Sequence, residues 1–114
     1  MKATGTEHEW NKYLRFFCEQ NLGRPTRLGV FEEKDGVVTD YWLESGLPLA
    51  GIDIDLVRNV PTIQITVGTY THVVNNPAKL EFQLSYDGDE DGIDIRDTDR
   101  KTTILRFENG SLEK

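Results

Sequence analysis

The stretch Asp87-Gly88-Asp89-Glu90-Asp91-Gly92-Ile93-Asp94 comes nearest to chemistry in residue type and spacing. Carboxylates at alternate positions followed by glycine match the opening of a calcium loop, D-x-D-x-D-G. Ca²⁺ takes about six to eight hard oxygen ligands, and Asp87, Asp89 and Asp91 would supply several of them within a few residues. The match then stops. Thr98 stands at the loop's twelfth position, where a bidentate Glu belongs, and Ile93 and Ile95 already alternate with polar residues as in a strand. The expected structure is a solvated hairpin loop, where Asp and Gly are the ordinary turn residues. The alternative is a divalent-cation site, for calcium, on Asp87, Asp89 and Asp91, with Asp94 as a further oxygen donor.

Three other groups have reactive side chains. Asp53 and Asp55 lie two apart in an alternating run, which puts them about 6.6 Å apart on one strand face, a separation found between paired catalytic carboxylates. The same pattern is what a strand with a wet face requires, and the expectation is a solvent-facing pair. His72 shares its parity with Tyr70 and Val74, which points to a structural role, while His8 falls in a first helical turn. Two histidines so far apart in sequence make no metal constellation. Cys18 is the one cysteine. It lies on an aromatic helical stripe, so a buried, inert thiol is expected and an internal disulfide is excluded. The chain has no phosphate-cradling glycine loop, nucleophile elbow or CxxC motif. The aromatics Trp10, Phe16, Phe17, Tyr41 and Trp42 are expected in the core, although such residues also build interfaces.

The elements that must position these residues follow from period and punctuation. Thr6-Glu7-His8-Glu9 reads as a capping box. Trp10, Tyr13, Leu14, Phe17 and Cys18 recur at helical spacing, and Gly23 and Pro25 supply a cap and a stop. One amphipathic helix is therefore expected from Glu7 to Asn21. Strands follow over Thr26–Glu32 and Val37–Leu43, joined by an Asp35-Gly36 hairpin turn, and the second strand carries apolar residues on both faces, as if covered twice. Glu44-Ser45-Gly46-Leu47-Pro48 reads as a loop. Further strands are expected over Leu49–Val57, Thr62–Val67 and Tyr70–Val74. The last three fall between Lys79 and Phe107, where Leu80, Phe82, Leu84 and Tyr86 share a parity. Short connections imply antiparallel neighbours. The fold class expected is α+β, with one N-terminal amphipathic helix packed on a mainly antiparallel meander of seven or eight strands, a twisted sheet or half-barrel.

The chain has 114 residues, room for one domain, with loose tails expected at residues 1–5 and 109–114. Twenty acidic against 13 basic side chains give a net charge of −7. That field repels phosphate backbones and anionic lipid, so neither nucleic acid nor a membrane is an expected partner. No apolar run approaches the ~18 residues of a transmembrane helix. The start Met1-Lys2-Ala3-Thr4-Gly5 lacks the apolar core of a secretion signal, and a cytoplasmic location is expected.

The order of these features resembles a small uncharacterised bacterial family, domain-of-unknown-function family 5335. The resemblance rests on Glu9-Trp10 with Leu14 and Phe17, on Pro48-Leu49-Ala50-Gly51-Ile52, and on Ile63-Gln64-Ile65-Thr66-Val67-Gly68. Thr71-His72, Pro77 and Thr103-Ile104-Leu105-Arg106-Phe107 complete it. It runs from Trp10 to Phe107 and implies no activity, substrate or cofactor; the acidic loop is outside the pattern. The functional expectation is a non-enzymatic domain that binds a protein partner or forms a homo-oligomer, without cofactor. The alternatives are a calcium-binding module and an enzyme of unknown type.

Overall fold

In a computed structural model the chain folds as one helix on a curled antiparallel sheet, and the structure describes residues 2–3, 7–58, 60–84 and 90–108. Thr6 of the expected capping box, Asn59, and Asp87 and Asp89 of the acidic loop lie outside the described residues, as do 1, 4–5 and 109–114 of the expected tails. The elements are β1 (Lys2–Ala3), α1 (Glu7–Asn21), β2 (Pro25–Lys34), β3 (Val37–Val57), β4 (Val60–Val67), β5 (Tyr70–Asn75), β6 (Pro77–Leu84), β7 (Glu90–Asp97) and β8 (Lys101–Phe107). Neighbouring strands run antiparallel in the order β1-β6-β7-β8-β2-β3-β4-β5. The class is the α+β half-barrel that period and punctuation imply.

The helix ends where its sequence says it should. Gly23 takes φ +84° and its amide donates to the Leu49 carbonyl at 2.9 Å, so the cap also ties α1 to β3. Trp10, Leu14, Phe17 and Cys18 are buried against the concave side of the sheet. Phe17 packs on Phe82 and Phe107 with ring centroids 5.3 and 5.7 Å apart. Leu28, Ile63, Ile65, Val67, Leu80, Ile93, Ile95 and Leu105 fill the rest of that concavity. These are the residues that alternate inward along their strands.

Two differences from the sequence reading change what the surface looks like. Glu44–Pro48 is not a loop, because β3 runs unbroken for 21 residues. Its first part pairs with β2 as far as Pro48, and from Leu49 it pairs with β4. Gly46 at φ +89° and two register shifts opposite Thr26–Gly29 bend the strand at the handover. Pro48 lacks an amide, but it sits where one ladder gives way to the next, so no hydrogen bond is lost. The second difference is burial. Val37, Val38, Tyr41 and Trp42 are not covered on either face. The β2–β3 hairpin, turned by Asp35 and Gly36 at φ +53° and +79°, carries them beyond the reach of α1 and β4. Phe16 is likewise on the open side of the helix.

Candidate functional site

Among the described residues, those with reactive chemistry are not gathered into one metal-ligating cluster. Asp91 and Gly92 lie in β7, with Gly92 opposite Gln83 of β6 and Arg106 of β8. The glycine of the calcium-like motif is therefore a packing residue. A Cβ there would overlap the Leu105 carbonyl oxygen, with Arg106 Cδ only 3.0 Å away. Asp94 is committed elsewhere, since its carboxylate accepts from Arg106 Nη1 at 2.8 Å and from Gln83 Nε2 at 3.0 Å. The chain is extended at Asp91–Asp94, where a calcium loop would still be curling. Among the described residues no three of His, Cys, Asp and Glu gather as metal ligands.

Asp53 and Asp55 are exposed on the outer side of β3, as a wet strand face requires. Asp55 Oδ1 accepts the Leu56 amide at 2.8 Å. His72 points the other way. Its Nε2 lies 3.1 Å from the Thr103 hydroxyl, linking β5 to β8 across the interior. Burial lowers its pKa below the ordinary histidine value, and Lys101 lowers it further, so the ring is neutral at physiological pH. Cys18 is buried, and burial pushes its thiol pKa up against the backbone hydrogen bond with Ile52, with Asp53 and Glu19 adding to the rise. The half-buried imidazole and the buried thiol lie on the inner side of the sheet, and the two exposed carboxylates on the outer side.

What sequence reasoning missed lies on the outer face of the β2–β3 hairpin. Antiparallel register fixes the layout. Trp42, Gly29 and Ile104 form one row across β3, β2 and β8, and Asp40, Phe31 and Thr102 form the next. Val38 and Glu33 stand one row further out. The indole of Trp42 lies over Gly29, and the Arg27 guanidinium stands 5.0 Å from its ring centroid. Arg27 is held in turn by Glu108 at 3.3 Å, and Ser45 donates to the same carboxylate at 3.0 Å. Trp42, braced in this way, is half exposed. Phe31, Val37, Val38, Tyr41 and Trp42 all have between 38% and 63% of their surface open to solvent. Phe31, Val38 and Trp42 share the outer face, while Tyr41, opposite inward-facing Val30, and Val37 have the other parity; three large apolar side chains on one open face are more than a surface that meets only water needs. Asp40 and Ile104 complete a shallow hollow beside Trp42. The signal that could have found this face was the apolar run on both parities of Val37–Leu43, which marks a strand as buried or as unpartnered without distinguishing the two.

No helix among the described residues is long and apolar enough to cross a membrane. Comparison of the chain with family models, with curated proteins and with solved structures finds no match.

Proposed function

We propose that this chain is a non-enzymatic, cytoplasmic domain that works by binding protein, either a partner or a second copy of itself. The binding surface is the outer face of the β2–β3 hairpin. One observation carries the reading: Phe31, Val38 and Trp42 share that face, uncovered, with Trp42 held by Gly29 beneath and Arg27 beside it. Trp, Tyr and Arg are the residues in which binding energy concentrates at interfaces, and a pre-positioned ring loses little entropy on docking. That Asp53 and Asp55 lie on the opposite side of the sheet from His72 supports a role without catalysis. The resemblance to domain-of-unknown-function family 5335 adds membership of that family to the proposal, and it brings no activity that competes with this reading.

The test is a photo-crosslinking amino acid placed at Val38, and separately at Asp53 as a control on the other exposed face, in cells that make the protein. An adduct from position 38 and none from position 53 is expected. Equal labelling from both positions, or none from 38, sinks the reading.

A further inference from the structure

Register sets Asp40, Phe31, Thr102, Arg96 and Lys79 in a single row across β3, β2, β8, β7 and β6 on the outer face of the sheet. The two ends of that row differ. At the β6–β7 end Lys79 and Arg96 have Glu81 and Asp94 beside them, and Asp94 is held by Arg106, so both signs are mixed. On the outer face of the β2–β3 hairpin the unpaired charge is acidic. Asp40 and Glu33 are exposed there, and the ion pairs among the described residues are Arg27–Glu108 and Arg106–Asp94, which leaves both carboxylates out. Arg27 stands on the far side of Trp42 from Asp40, and Glu108 already neutralises it. The open apolar ground of Phe31, Val38 and Trp42 is therefore bordered by two carboxylates without a counter-charge.

The hollow beside Trp42 measures about 280 Å³, and Trp42, Ile104, Gly29 and Asp40 line it. Small-molecule sites run from about 300 to 1,000 Å³, so this one suits a single side chain of a larger partner. Its walls are an indole and an aliphatic side chain, and one carboxylate stands about 6.8 Å along β3 from the indole's own residue. Lysine and arginine have the matching form, an apolar stem with a cation at its end. We propose that this face binds a basic segment of a partner protein. A Lys or Arg side chain of that segment lies in the hollow, its stem along Trp42 and Ile104 and its cation on Asp40, and a neighbouring apolar residue covers Phe31 and Val38. The inference rests on the reading of this face as a protein-binding surface and names the chemistry of the partner. A purely apolar partner would bury Asp40 without a counter-charge, which is costly, and an acidic one would set like charges together. The chain's net charge of −7 adds a longer-range attraction for a basic partner, which salt weakens.

Selection of a phage-displayed library of random peptides on the wild type tests the proposal, followed by titration of the selected peptides into Asp40→Lys, Trp42→Ala and, as a control elsewhere on β3, Asp53→Lys. Asp40, Trp42 and Asp53 are exposed, and circular dichroism melts establish that each variant folds. The selected peptides are expected to carry Lys or Arg beside an apolar residue. They should bind Asp40→Lys and Trp42→Ala at least about tenfold more weakly than the wild type, and Asp53→Lys as well as the wild type. A peptide remade with glutamate in place of its cation should prefer Asp40→Lys to the wild type. Peptides without a basic preference, peptides that bind Asp40→Lys as tightly as the wild type, or a selection that returns none each overturn the proposal. So does a wild type that sediments as a dimer and loses it in Trp42→Ala, because a second copy is then the occupant. Peptides that need Trp42 but no cation overturn the basic partner and leave the protein-binding reading standing; no peptide, together with no adduct from position 38, removes both.

Discussion

Gly29 and Trp42 face each other across the β2–β3 ladder, and the indole occupies the space a side chain on Gly29 would fill. A Cβ on Gly29 would stand 2.6 Å from Trp42 Cε3 and 3.0 Å from the Tyr41 carbonyl oxygen. The glycine is there for the ring, and the ring for the exposed face.

Gly29→Ala therefore has to lift the indole away from the sheet and from Arg27. Overpacking of this kind costs about 1–3 kcal/mol. The same change in a Trp42→Ala background is relieved of the two ring contacts, with the Tyr41 carbonyl remaining, and costs less. Urea denaturation of the four proteins measures the coupling. Equal costs in both backgrounds would mean the ring does not rest on Gly29.

Gly92→Ala is expected to be more damaging than Gly29→Ala, on the order of 3 kcal/mol or more, because its Cβ meets backbone at Leu105, which cannot swing aside. The loss should be the same in chelator and in excess Ca²⁺, since packing sets the need for glycine. Thermal melts under both conditions check this. A cation held at a hundred times its dissociation constant would add about 2.7 kcal/mol, a shift on the order of 10–20 °C in a domain of this size. No such shift is expected for the wild type. One that appeared, and was lost in an Asp89→Asn/Asp91→Asn variant, would restore the acidic loop as a calcium site.

His72 gives the fold an acid sensitivity of known sign. Its folded pKa is lowered from 6.5, chiefly by burial and then by Lys101, so near and below that value the unfolded chain binds the proton more readily. Stability from this group is fully present above the unfolded pKa and is lost as pH falls through the folded one. The melting temperature of the wild type should fall relative to His72→Gln on going from about pH 7.5 to about pH 5. A constant difference between the two proteins across that range would show that His72 is not the group responsible.

Cys18 should be slow to react with a thiol reagent in the native protein and fast in urea. Burial raises its pKa from 9.0 and keeps the thiolate scarce, and the ring stripe of α1 shields the sulfur. Labelling rates that match those of the unfolded chain without denaturant would contradict the packing of α1 on the sheet.

Local chemistry determined much of this protein from sequence alone. Periodic Trp10, Leu14, Phe17 and Cys18 between an acidic start and Gly23 specify a helix whose bounds, Glu7 and Asn21, match those of the structure. Asp35-Gly36 specifies a tight turn because both residues tolerate positive φ. Strict alternation at Ile63, Ile65 and Val67 specifies which side of β4 is buried. These features depend only on neighbours in the chain, so they are legible in it. Tertiary structure decided the rest. Glu44–Pro48 has the composition of a loop, yet pairing on both sides holds it in a strand, and its Gly and Pro serve a bend. Val38, Tyr41 and Trp42 look like core residues, and whether they are depends on how far the hairpin projects past α1. The row from Asp40 to Lys79 draws on five strands scattered over half the chain. Its residues become neighbours only through register, a relationship between segments that no single stretch of sequence carries.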